Sequence, residues 1–296
     1  MEILEKITYQ DKENNLLILN NILDLLEDGL YKKKNTINDK FDLIFKQPKQ
    51  FNDEYIKSHY LSIYRAIESV NKNRYFVFWE IANGMPQKII TQTIIYDMAR
   101  FYNTIKHKEK LIDESLQYIV KEINNIIGSI QGLDDYIAPQ ESFCNSFGFS
   151  QLYTPFHTSL IGKTFLIRMA LEKKIKWMIF GDLQEYKINL HEVLNKLKEN
   201  HRQYFDLPSN VDFDKIMLVK NWCNRIIHNG FFPYIWVVWD AIEIIEPLFC
   251  ISDKKGRIDL EGFNFRKDTT QDISKFFLED EKKIKRKNNT ALISIS

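Results

Sequence analysis

The residues best suited to chemistry lie together in Lys220-Asn221-Trp222-Cys223-Asn224-Arg225-Ile226-Ile227-His228-Asn229-Gly230. On a helix, Asn221, Arg225 and His228 stand at i, i+4 and i+7 and share one face. Trp222, Ile226 and the ring of Phe231 then pack elsewhere, and Asn224 lies four residues before His228. An imidazole beside a guanidinium suits phosphodiester cleavage. The imidazole moves a proton near neutral pH, and the guanidinium offsets charge developing on the phosphate. RNA needs no metal for this, because it carries its own nucleophile in the 2′-hydroxyl. The same residues also fit a structural role. A histidine in the last helical turn faces exposed carbonyls, and Gly230 supplies a left-handed cap. Spacing leaves both roles open.

Other chemistries have no matching pattern. The chain contains no Walker loop, dinucleotide-binding glycine motif, HExxH, EF-hand or GxSxG. His157, His191 and His201 have no partner at metal-ligand spacing, and His59 and His107 fall on surface-like helical positions. No metal and no cofactor are expected. Cys144, Cys223 and Cys250 are odd in number, widely spaced and without a CxxC, which fits a reducing compartment. Met1-Glu2-Ile3 opens into a charged, helix-like segment without a secretory pattern, and apolar runs such as 235–239 fall far short of a membrane span. These features predict a cytoplasmic protein with no membrane partner.

Charge narrows the partners. The 41 basic and 40 acidic residues nearly balance, yet Lys282, Lys283, Lys285, Arg286 and Lys287 crowd five positive charges into the tail. The rest of the chain is therefore net acidic, and RNA contact is expected to be local, with the tail as its basic patch.

The elements that must position these residues are helices. Gly (10) and Pro (7) are too few for a many-stranded sheet protein. Apolar residues recur at helical spacing over 11–28, with Gly29 just past the end, and over 53–70, with Asn52 or Asp53 as cap. The pattern returns from Pro86 to about 98 and over 111–127, 159–179, 190–204 and 212–229, and again from Pro233 to before Pro247. Tyr75-Phe76-Val77-Phe78-Trp79 fits either a buried helix or a short strand, and its continuation through Glu80-Ile81-Ala82 favours the helix. Asp253-Lys254-Lys255-Gly256 reads as a turn inside a small hairpin near 250–265, followed by a short helix at 270–280. Residues 136–156, rich in aromatics without a period, mark a connector. The expected fold is all-α, with an N-terminal helical domain (1–135), an aromatic connector (136–157), a helical bundle (158–250) and a hairpin, short helix and basic tail (251–296).

The bundle carries a resemblance. A helix bearing Arg168-Met169-Ala170-Leu171-Glu172, a second helix, then Asn224-Arg225-Ile226-Ile227-His228-Asn229-Gly230, Phe231-Phe232-Pro233-Tyr234-Ile235-Trp236 and a last helix resemble a HEPN domain over residues 158–250. Arg225 and His228 stand closer together than in the family's catalytic pattern. HEPN proteins are dimerising helical bundles, many of them metal-independent ribonucleases of toxin–antitoxin, CRISPR and abortive-infection systems, and others non-catalytic. The resemblance implies an RNA-cleaving or RNA-binding defence or toxin-like protein. It implies His228 as general acid/base, Arg225 as phosphate stabiliser and Asn221 or Asn224 as orienters. It also implies a homodimer, with Tyr234, Trp236 and Trp239 beside the site, and an antitoxin or sensor partner. The alternative it leaves is a non-catalytic interaction or regulatory protein with a degenerate site.

Overall fold

A computed structural model describes residues 12–31, 38–46, 52–71, 87–105, 114–127, 155–180 and 189–249, together with the pairs 251–252, 258–259 and 264–265. Most of them lie in helices, eight of which are α-helices, so the fold is all-α. These are α1 (Lys12–Tyr31), α2 (Asp53–Asn71), α3 (Gln87–Ile105), α4 (Glu114–Ile127), α5 (Pro155–Phe180), α6 (Leu190–Tyr204), α7 (Phe213–Asn229) and α8 (Ile235–Ile245). A 3-10 segment, Asn38–Phe45, lies between α1 and α2. No described helix is long and apolar enough to cross a membrane. The stretches at 75–79, 253–256 and 270–280, most of the aromatic connector and the five basic tail residues lie outside the described residues.

The chain divides into two compact units, Met1–Phe165 with Asn221–Ala241, and Leu166–Lys220 with Ile242–Ser296. The segment that holds Arg225 and His228 thus groups with the N-terminal helices, a grouping that position along the sequence does not suggest.

In the first unit α1 packs on α2, α3 and α4, and α2 packs on α3 and on the 3-10 segment. The stripes that do this are periodic: Leu19, Ile22 and Leu26; Ile56, Ile63 and Ile67; Ile90, Ile94 and Met98; Leu116, Ile119 and Ile123 are all buried. Burying one such side chain is worth about 1.5–3 kcal/mol. Gly29 does not end α1 as its position after the apolar stripe suggests, because the helix continues to Tyr31. Its reason is packing. A Cβ there would collide with the buried side chain of Ile119 on α4.

Asn52 is the cap of α2. Its side-chain oxygen accepts from the Tyr55 amide at 3.0 Å. Asn52→Ala leaves that amide without its partner and is expected to cost about 1 kcal/mol, read as a lower urea midpoint at unchanged slope.

In the second unit Leu171, Ile175, Leu194, Leu197, Ile216 and Val219 form the apolar centre. Asp212 caps α7, accepting from the amides of Asp214 (2.9 Å) and Lys215 (3.2 Å). Residues 251–252 and 258–259 pair antiparallel, as the expected hairpin requires. A second two-residue ladder, Phe205–Asp206 on Asn264–Phe265, joins segments too far apart in sequence for a turn pattern to reveal.

Candidate functional site

The first unit contains a cavity of about 360 Å3. Helix α2 supplies Tyr55 and His59, the 3-10 segment and the residue after it supply Ile44 and Lys46, and α3 supplies Thr104. The remaining wall comes from α7 (Trp222, Arg225, Ile226), the link Phe231–Tyr234 and Val237 of α8. The stripe Trp222, Arg225, Ile226 follows i, i+3, i+4 spacing, so one face of α7 delivers all three. Trp222 and Ile226 therefore share the wall with Arg225 instead of packing away from it.

Arg225 is half-buried and donates to the backbone carbonyl of Phe45. Burial holds its guanidinium below the usual arginine pKa, against an opposing influence of Tyr55. Trp222 meets the Phe45 ring edge to face at 5.8 Å. The same short segment, Ile44 to Lys46, thus receives both the aromatic and the cationic side chain of α7.

His59 occupies the opposite situation from its expected surface position, being 1% exposed. Its place in the sequence explains this, since Ile56, His59 and Ile63 fall at i, i+3 and i+7 on the apolar stripe of α2. The ring stacks on Phe101 at 4.6 Å and meets Tyr55 and Tyr234 edge to face. Its Nδ1 accepts from the Trp236 indole Nε1–H at 3.0 Å. Burial pushes its pKa down to about 3, so the ring is neutral at physiological pH. An indole N–H only donates, which places the lone pair on Nδ1 and the ring proton on Nε2. That Nε2 is buried and has no partner among the described residues.

The link between α7 and α8 is held from below by a buried ion pair. Gly230 ends α7 with φ 68°, its amide donating to the Ile226 carbonyl at 3.1 Å, an arrangement that favours glycine. Asp97 of α3 then accepts from the first amide of α8, Ile235, at 2.7 Å. Its other oxygen accepts from Arg100 at 2.8 Å, and Arg100 also donates to the Phe232 carbonyl at 3.1 Å. The Arg100 guanidinium lies 4.9 Å from the Tyr234 ring centre. The carboxylate thus answers both the helix N-terminus and the Arg100 Nη1, and the wall residues Phe232 and Tyr234 are positioned as a result.

Of the four residues expected to carry the chemistry, Asn221, Asn224, Arg225 and His228, only Arg225 lines this cavity. His228 is exposed in the last turn of α7, with Ile227 and Asn229 exposed beside it. Asn221 and Asn224 are half-buried and do not line the cavity. Tyr234, Trp236 and Trp239 are buried within the first unit, and Tyr234 lines the cavity. In the second unit Arg168 pairs with Glu172 at 3.0 Å, and Lys176 pairs with Glu172 at 2.9 Å. Burial acts to raise the Glu172 pKa, but the two cations outweigh it and hold it below the usual value. His191 contacts the Met217 sulfur, and His201 contacts the Leu197 carbonyl. Among the described residues no three His, Cys, Asp or Glu side chains gather to hold a metal ion.

Sequence reasoning missed His59, Tyr55 and Lys46. For His59 the signal was present in the stripe it shares with Ile56 and Ile63. Lys46 has no local signal, because its role depends on where the 3-10 segment docks. No protein-family model, no curated protein and no solved structure matches the chain.

Proposed function

We propose that the protein is a non-catalytic helical regulatory protein that binds a small molecule in the cavity beside α7. The observation that carries this reading is the divergence of Arg225 and His228. A proton-transfer group and a phosphate stabiliser must reach the same reacting atoms. Arg225 lines the cavity and is engaged with the Phe45 carbonyl, whereas His228 is exposed outside it. The histidine that does line the cavity is no substitute. His59 has a pKa of about 3 and an occupied Nδ1, so it neither takes up nor releases a proton near neutral pH. An apolar cavity with a few fixed polar groups is what small-molecule recognition requires. The buried Cys223 thiol fits action in a reducing cytoplasm.

A second reading retains a HEPN-type ribonuclease. It is favoured by the exposure of His228 next to the left-handed Gly230, where a phosphodiester has access. That protein would act on RNA as a homodimer, with the basic tail adding affinity and an antitoxin restraining it. Incubation of the purified chain with total RNA in EDTA separates the two readings. We expect no cleavage by wild type. Cleavage by wild type that is lost in His228→Ala, with a cyclic or 3′-phosphate end, would overturn the binding-only reading.

A further inference from the structure

The cavity's polar groups have an uneven character, and this bears on what it holds. Two of its lining residues are cations, Arg225 and Lys46, and none is a carboxylate. Lys46 is exposed, so its ammonium is solvated at the rim. Arg225 differs. It is half-buried, and its one hydrogen bond among the described residues goes to a neutral carbonyl. A guanidinium withdrawn from water without a counter-charge is costly, and its lowered pKa has that desolvation as its main cause.

The other polar groups of the lining are already placed. Because the Trp236 indole donates to the His59 Nδ1, the ring carries its proton on Nε2, which is buried away from the cavity. The hydroxyl of Thr104 donates to the Arg100 carbonyl at 3.0 Å. The charge of the described lining is therefore positive. A metal cation would be repelled, and a neutral hydrocarbon would leave Arg225 unanswered.

Size and shape narrow the class further. A volume of about 360 Å3 is near the lower end of the roughly 300–1,000 Å3 typical of small-molecule pockets. It suits one or two fused rings with a head group, not a stretch of polymer. Trp222, Tyr55, Phe231 and Tyr234 present aromatic surface, which favours a flat ligand body over a flexible chain.

We propose that the cavity binds a small planar organic anion, with its anionic group on Arg225 and its flat body along the aromatic wall. This rests on the binding reading above and adds the ligand class to it. Carboxylates and phosphate esters share this chemistry, since either accepts two parallel N–H donors from an arginine.

The test uses the purified full chain and matched probes: benzoate against benzamide, adenosine monophosphate against adenosine, and inorganic phosphate as a head group without a body. Trp fluorescence and calorimetry report binding. At least one anion is expected to bind roughly tenfold or more tightly than its neutral partner, as one charge-assisted hydrogen bond implies. Its affinity should fall as salt rises. The carboxylate and phosphate arms identify the head group. Arg225→Gln should lose roughly tenfold or more. Lys46→Ala, at an exposed position that leaves the fold intact, should show a smaller loss and a weaker salt dependence. Neutral probes binding as tightly as their anions would overturn the ligand class while leaving the binding reading in place. No binding by any probe up to millimolar concentration would overturn both.

Discussion

Asp97→Ala is expected to destabilise the first unit by about 3–5 kcal/mol, as removal of one partner of a buried ion pair does. The carboxylate is fully buried and does two jobs, accepting from Arg100 and from the Ile235 amide. Its loss strands a guanidinium that is 2% exposed at its side chain and uncaps α8 in one step. The melting temperature should drop by roughly 10 °C. Arg100→Met should cost a comparable amount, because it leaves the carboxylate uncompensated. The Asp97→Ala/Arg100→Met double variant should recover part of the loss, since no buried charge then lacks its partner. Strictly additive losses in urea unfolding would show that the pair is not coupled.

Mild acid should weaken the fold through His59. Its folded pKa of about 3 lies below the ordinary 6.5, so between those values the unfolded chain binds a proton that the folded chain excludes. The contribution is complete above pH 6.5 and declines as pH falls, at about 1.4 kcal/mol per pH unit. It levels off near pH 3. By pH 4 the loss from this one residue is about 3 kcal/mol. His59→Gln keeps an acceptor for the Trp236 indole but cannot take up the proton. The variant should therefore be less stable at pH 7 and have a flatter profile from pH 6 to 4. Parallel stability profiles for wild type and variant would show that His59 is solvated in the folded state.

Periodicity makes the helices legible, because each stripe that packs the first unit is a run of Ile and Leu at three- and four-residue steps. It is silent on what a stripe meets. Gly29 illustrates this: by sequence it resembles a helix stop, and only the approach of Ile119 shows why a side chain is excluded there. His59 was readable from its stripe, but the assumption that histidine belongs on a surface obscured it. Arg225 was found for the right reason, a cation on a helix with a chemical neighbourhood, yet its neighbours proved to be Phe45 and Trp222 instead of His228. Arg225 and His228, three apart on the helix, share a general side without sharing a destination. Which one turns inward depends on the 3-10 segment, 180 residues away along the chain. The Asp97–Arg100 pair also escapes sequence reading, since an Asp and an Arg three residues apart on a helix look like an ordinary solvated surface pair.

The first unit is assembled from chain segments separated by Leu166–Lys220, and this sets an order of events during synthesis. Helices α1 to α4 leave the ribosome well before Asn221–Ala241, yet every long-range polar bond described around the cavity waits for that later segment. Trp236 reaches back 177 residues to His59, and Ile235 reaches back 138 to Asp97. Until then Asp97 lacks the Ile235 amide and Arg100 lacks the Phe232 carbonyl, and the N-terminal helices hold an apolar face without its cover. Loops of this length close slowly, and an uncovered apolar face is a site for wrong association. The cavity is accordingly among the last features to form, and a nascent chain stalled before residue 221 leaves that apolar face exposed to wrong association.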